Sequence, residues 1–273
     1  MEVASFRKKE LISNYIILGI FAIVSLAPIL VLIFNAFKPA VEFGTNPIGL
    51  PNNITFQNFP DAWVQGEYSK IFFNSFKLVF GTLILCISVS SLAGFSLAKL
   101  NPKGANLVAI YLLVGISIPA QMFLLPLFLL WKNLGLLNTH IGLIIIYSAL
   151  NAPFATFLIR SYMIRLPDEL FDAAKIDGAN IFQQFFRVAI PLSWPVLLTS
   201  ALVVGLAVWN EFLFALTFVQ DENLKPISTI LFAFSWRFIN NQALVSAASI
   251  MMVAPVVILF LLFQKRFISG LTS

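Results

Sequence analysis

Residues Asn14–Phe37 read NYIILGIFAIVSLAPILVLIFNAF, a stretch without one charged side chain. A bilayer core is about 30 Å thick, and an α-helix needs about 20 apolar residues to cross it. Within hydrocarbon the backbone must satisfy its own hydrogen bonds, which a helix does inside a single segment. The stretch is too long for the core of a cleaved leader and reads as an uncleaved anchor leading into further spans. Five more stretches meet the same length test: Phe72–Ala98, Leu107–Leu130, Ile141–Ile159, Trp194–Val219 and Ala243–Phe263. The expected fold is an all-α integral membrane protein of six transmembrane helices, one membrane domain over residues 1–273.

Composition points the same way. Of the 273 residues, 59% are hydrophobic and 11% charged, and the mean hydropathy is +0.92. Soluble domains carry about 25% charged residues. Twenty-nine Phe demand burial and exclude intrinsic disorder. The net charge of +5 forms no basic stripe, so nucleic acid is not indicated. Instead the basic residues flank the apolar runs. Eleven, among them Arg7, Lys8, Lys9, Lys99, Arg165 and Lys265, fall on one side. Lys38, Lys70, Lys132, Lys225 and Arg237 fall on the other, and Lys77 lies inside the second run. The positive-inside rule then predicts both termini in the cytoplasm. A single Cys86 and a single His140 exclude a disulfide framework and a thiol or zinc site.

Within the spans, Ser90, Gly94 and Ala98 form a small-residue face, as do Ala201 and Gly205, suited to close helix packing. Pro28, Pro119 and Pro126 predict kinks. Polar groups at membrane depth are costly and face a cavity or a partner. The candidates for a pore or gate are Trp209, Asn210 and Glu211 near the outer mouth, with Asn151 and Gln121. Glu211 could bind ligand hydroxyls, or pair with Lys77 or a neighbouring helix. No paired carboxylates, His–Asp chain or charge ladder occur in the spans, and no strong internal repeat is visible, which weighs against a secondary transporter. Outside, Lys38–Ile71 is rich in Pro, Asn and Gly and predicts turns. The second outer loop, Gln220–Gln242, is amphiphilic and holds Trp236 and Arg237.

The inner loop Ser161–Ser193 is the specific feature. Pro167 can open a helix, with Asp168 and Glu169 favourable in its first turn. Leu170, Ala173, Ala174 and Asp177 share one narrow face, and Gly178 is placed to end the helix left-handed. A second helix from about Ile181 to Ile190 carries Phe182, Phe185, Phe186 and Ala189 as an apolar stripe, and Pro191 marks the return to the membrane. The first helix is acidic and small-faced, a better match to a protein groove than to anionic lipid.

The run Asp172-Ala173-Ala174-Lys175-Ile176-Asp177-Gly178-Ala179, followed by Val188, Ile190 and Pro191, resembles the EAA loop of ABC importer permeases. It departs mildly, with Asp172 for Glu, Val188 for Ile and Ile190 for Leu. Asn74-Ser75, Gly135-Leu136-Leu137-Asn138-Thr139, Trp209-Asn210-Glu211-Phe212 and Ser269-Gly270-Leu271 resemble the carbohydrate-importer branch of that family, and within it the maltose-permease type. The resemblance covers nearly the whole chain. It implies a non-enzymatic permease subunit in the cell membrane of a prokaryote, forming half of the pore with a second, homologous permease. It further implies two ATP-binding subunits that hold ATP and Mg, and an extracytoplasmic solute-binding protein that delivers a sugar or oligosaccharide. Asp172, Ala173, Ala174, Asp177, Gly178, Ala179 and Pro191 would couple to the ATPase; a non-sugar solute is the alternative substrate. This chain has no phosphate-binding Gly-rich loop with Lys and Ser/Thr, so no cofactor is expected on it.

Overall fold

The computed structural model describes the backbone of residues 2–238 and 241–272, with side chains from 14 to 262 apart from 230, 231, 233, 236, 239 and 240. The side chains of Arg7, Lys8, Lys9, Trp236, Lys265, Arg266 and the Ser269-Gly270-Leu271 motif lie outside that set. The described residues are helical and form no strand. In order they give α1 (Glu2–Ala36), α2 (Ala40–Thr45), α3 (Asn58–Gln65), α4 (Tyr68–Phe95) and α5 (Ala105–Ser117). Then follow α6 (Leu124–Asn133), α7 (His140–Ile164), α8 (Asp168–Ile176), α9 (Ile181–Gln184) and α10 (Ile190–Leu192). The last are α11 (Trp194–Asn210), α12 (Leu213–Phe218), α13 (Ile227–Arg237) and α14 (Gln242–Thr272). Two π turns interrupt the α pattern: Ser96–Leu100 closes α4, and Phe185–Ala189 joins α9 to α10.

Asn14–Ala36, Tyr68–Leu100, His140–Ile164 and Gln242–Leu262 are each long and apolar enough to cross a membrane. Two bent pairs bring the number to as many as six, Ala105–Ser117 with Ala120–Asn133 and Ile181–Leu192 with Trp194–Asn210. Two of the expected straight spans are therefore corrected. Leu107–Leu130 turns through 91° between Ser117 and Ala120. Pro119 has no N–H and forces the residue before it out of the helical region, so Ile118 is extended at φ −83°, ψ 125°. Pro126, by contrast, lies in the first turn of α6, where a missing N–H costs nothing. Trp194–Val219 ends as a helix at Asn210, because Glu211 is extended at φ −68°, ψ 122°, and α12 starts afresh beyond it.

The chain divides into two compact units, Met1–Tyr68 with Leu231–Pro255 and Ser69–Ile230 with Val256–Ser273. In the first, the loop that follows α1 is more ordered than turn chemistry alone predicts. The Asn58 amide donates to Ala36 O and Lys38 O, both at 2.8 Å, and Lys38 is fully buried, donating to Asn35 Oδ1 at 2.9 Å and Asn46 O at 2.6 Å. The rings of Phe56 and Phe59 pack on Phe37. Backbone N–H groups of Asn52 and Asn53 converge on Glu42, and they hold its carboxyl below the usual range.

The second unit is built on α4, α7 and α11. A Cβ on Gly81 would lie 2.5 Å from Ile144, one on Gly94 would lie 3.0 Å from Ile159, and Ser90 Oγ donates to Ala152 O at 3.3 Å. Residue numbers rise together along both helices, so α4 and α7 run parallel through a small-residue seam. Gly205 on α11 faces Val79 and Leu83 of α4 at 3.7–3.8 Å. Around this seam gather Leu78, Cys86, Ile146, Tyr147, Val204 and Val208, all buried.

Candidate functional site

At one end of the second unit the break after Asn210 is held by Glu211. Its Oε1 accepts from Phe214 N at 2.8 Å, and its Oε2 accepts from Ala215 N at 3.0 Å and from the Tyr147 hydroxyl at 2.7 Å. The carboxylate thus satisfies two free N–H groups at the start of α12, where a negative charge also suits the helix dipole. Its main-chain oxygen accepts from Ser228 Oγ at 2.5 Å. Asn151 lies one turn along α7 from Tyr147 and donates to Tyr147 O at 2.8 Å. Trp209 is buried against the rings of Phe72 and Phe76, while exposed Asn210 turns back to Leu206 O. Gln121 lies elsewhere, in the wall of a cavity of about 530 Å³ at the α5–α6 elbow, with Pro119, Pro153 and Phe154. The structure therefore brings Glu211 and Asn151 together around Tyr147, and leaves Gln121 apart. Lys77 is not a partner of Glu211; its ammonium stands 4.4 Å from the Phe73 ring centroid.

The Gly135–Thr139 motif finds its reason at the same end. Gly135 and Asn138 both have positive φ, 69° and 54°. Asn138 N donates to Phe218 O at 2.9 Å, and its side-chain oxygen accepts from Gln220 N and Asp221 N. Asn tolerates the left-handed region because its short amide can bond locally. Thr139 caps α7 by accepting from Gly142 N at 3.0 Å.

At the other end, α8 begins after Pro167 and stops at Gly178, whose φ of 81° needs a residue without Cβ. Gly178 N donates to Lys175 O and Ala179 N to Ala174 O, closing the last turn. Asn180 and Gln183 then form a reciprocal capping box, each side chain accepting from the other's backbone at 2.9 Å. Pro191 lies in the first turn of α10.

What faces inward here is not the small face. Phe171 is buried and packs on Phe95 at 6.1 Å, and Phe185 packs on Phe95 at 5.4 Å. Burying a Phe contributes roughly 1.5–3 kcal/mol. Asp172, Ala173, Asp177 and Gly178 are exposed and Ala174 is half-buried, so among the described residues the face bearing the Asp-Ala-Ala run is largely open. Ile176, Phe182 and Phe186 beside it are exposed, at 88%, 70% and 62%. The expected stripe of the second helix is thus split: Phe185 and Ala189, the two ends of the π turn, point inward, and Phe182 and Phe186 point outward. The Asp172–Lys175 ion pair is solvated on both sides and contributes about 0–1 kcal/mol. Lys99 Nζ donates to Asp168 Oδ1 and to Leu166 O, both at 2.6 Å, and this bond and charge hold the Asp168 carboxyl below its ordinary value of 3.8. Tyr147, Phe171 and Lys99 carry these joints, and sequence reasoning did not single them out. Two are aromatics in apolar company, and the lysine reads only as one more charge at a span's end.

The family model for the binding-protein-dependent transport system inner membrane component matches residues 87–273. The chain belongs to that family. Among its relatives, this inner membrane component is 36% identical to the arabinooligosaccharides transport system permease protein AraQ of Halalkalibacterium halodurans, over 92% of this chain and 91% of that one. It is 31% identical to the melibiose/raffinose/stachyose import permease protein MelC of Bacillus subtilis, over 98% and 97%. Among solved structures it is similar to a chain of a bacterial ABC transporter involved in the import of the acidic polysaccharide alginate, with TM-score 0.83 and 25% identity over 95% and 97% of the two chains. The family is a transport permease, a multi-pass membrane subunit, and not a catalytic one.

Proposed function

We propose that this chain is one of two homologous permease subunits forming the pore of an ATP-driven importer in a prokaryotic cell membrane. Its six spans leave both termini in the cytoplasm, and residues 1–273 act as one membrane domain. A solute-binding protein delivers a sugar or oligosaccharide to the outer end, and two ATP-binding subunits bind ATP and Mg at the inner end. The substrate class follows the relatives, whose names specify arabinooligosaccharides and the melibiose/raffinose/stachyose group.

One observation carries the coupling role. Asp172, Ala173 and Ala174 lie on a helix that buries Phe171 on its other side and leaves this small, acidic face largely exposed among the described residues. A helix that needs only its own chain would not expose Ile176 and Phe182 next to such a face. Seated in a groove of the ATP-binding subunit, α8 would move as that subunit closes, and Asp177, Gly178, Ala179 and Pro191 would fix its exit and return. At the outer end, Trp209, Asn210 and Glu211, with Asn151, form a fixed corner of the gate, and Gln121 lines its elbow.

Gly178→Val and Ala174→Trp test the reading in membrane vesicles. An added Cβ at Gly178 meets nothing within 4 Å, so its cost is backbone strain of about 1–2 kcal/mol. Ala174→Trp adds bulk to the proposed contact. The expected result is an inserted permease that loses its ATPase or its uptake. Normal uptake and normal ATPase retention in both variants would overturn the docking role.

A further inference from the structure

Lys99 makes a connection that neither the span pattern nor the docking loop requires. It stands on the π turn Ser96–Leu100, which ends at Asn101 with φ 41°. Its side chain is only 5% exposed, although it carries a charge and the chain end beside it is polar. The ammonium donates at 2.6 Å to Leu166 O, in the turn between α7 and α8, and at 2.6 Å to Asp168 Oδ1, in the first turn of α8. It also stands 5.0 Å from the centroid of Phe171, the buried face of α8. One side chain of α4 thus holds the turn that precedes α8, its first residue and its inner face.

The ring contact between α4 and α8 is of a different kind. The Phe95 and Phe171 rings pack at 6.1 Å with an interplanar angle of 39°, an apolar contact that tolerates sliding. A lysine bound to a carbonyl and a carboxylate is directional and shorter, and it fixes the angle at which α8 leaves Pro167. α4 is also the helix that packs along α7 and α11 through Gly81, Gly94 and Gly205.

We propose that Lys99 is a positioning residue for transport, the joint through which a displacement of α8 is passed to α4 and so to the pore-forming helices. The proposal rests on the docking role of α8 given above. Without the lysine, α8 would still seat on its partner, held by Phe171 and Phe185, but would pivot at Pro167 without carrying α4 along.

The test uses the assembled importer in vesicles and compares Lys99→Met and Lys99→Arg with the parent. Three quantities are read: ATPase subunit retained, ATP hydrolysed, and sugar taken up per ATP. Lys99→Met should retain the ATPase and hydrolyse ATP, while uptake per ATP falls about tenfold. Lys99→Arg, which keeps charge and donors, should restore most of that ratio, a rescue that loss of packing alone would not give. A parental ratio in Lys99→Met overturns the proposal. Should Lys99→Met fail to assemble, Asp168→Ala takes its place, since that carboxylate is 82% exposed and alanine removes the acceptor that Lys99 holds. A lowered ratio then supports the joint, and a parental ratio overturns it. Gly178→Val and Ala174→Trp run alongside: normal transport in both defeats the docking role itself, whereas their failure beside a parental Lys99→Met defeats only the joint.

Discussion

Glu211→Gln preserves the shape of a side chain whose two oxygens are fully committed. The carboxylate receives Phe214 N–H on one oxygen, and Ala215 N–H with the Tyr147 hydroxyl on the other. An amide offers a single acceptor oxygen, so in either orientation one backbone N–H faces an NH2 group. The better orientation keeps Ala215 and Tyr147 and forfeits Phe214. A hydrogen bond to a charged acceptor contributes about 1.5–3 kcal/mol, and a negative charge at a helix start about 0.3–1 kcal/mol more. The expected loss is therefore about 2–4 kcal/mol. Tyr147→Phe removes one donor and leaves the buried ring in place, at about 1.5–3 kcal/mol. In the double variant the tyrosine is worth less, because its bond to Gln is uncharged, so the two losses fall short of additivity by about 1 kcal/mol. Unfolding of the purified complex in detergent measures all three, with uptake followed in parallel. A Glu211→Gln complex as stable as the parent would refute the assignment of this carboxylate to holding the break after Asn210.

Three further expectations follow from other joints. Gly94→Ala should cost about 1–3 kcal/mol, because its Cβ would crowd Ile159 Cγ2 at 3.0 Å and Arg160 N at 3.2 Å, whereas Gly205→Ala, with neighbours at 3.7 Å, should cost clearly less in the same unfolding assay. In intact cells an impermeant thiol reagent should modify Asn223→Cys and spare Asn180→Cys; the opposite pattern would reverse the topology. Because Lys99 depresses the Asp168 carboxyl below 3.8, the ion pair's contribution is fully present above that pH and is lost as pH falls through the lower folded value. Proteolysis of the 161–193 segment should thus be unchanged between neutral pH and mild acid and rise only in stronger acid; a change near neutrality would contradict the pairing.

Some of this was legible in the chain and some was not. The start and stop of α8 depend on Pro167, Asp168, Glu169 and Gly178, local signals that need no tertiary context, and they appear where the sequence puts them. Ser90, Gly94 and Gly205 mark close approach for the same reason: a missing side chain matters only where another helix comes near. The inward face of α8 was not read from the sequence at all. The small residues read as a face for a partner's groove, and Phe171, off that face, is what the fold buries. Pro119 announced a kink, but the size of the turn, 91°, is set by how α5 and α6 seat afterwards. The break at Glu211 had no local signal, since its cause is Tyr147, Phe214 and Ala215 gathered by the fold. Neither π turn could be foreseen, because the residues in them are ordinary helix formers.

Those π turns have a consequence for insertions and deletions. Each holds one residue more than the α-helical turn it replaces, and that extra residue rotates everything beyond it by about 100°. Removing Ser96, Leu97 or Ala98 would let the turn close into α-helix and carry Lys99 around the axis, away from Leu166 and Asp168. A deletion of Arg187 or Val188 would likewise rotate α10 and all that follows it against Phe182 and the Phe95–Phe185 ring contact. Neither loss could be repaired by substitution, because no side chain restores a phase. At this corner the number of residues is constrained as tightly as their identity.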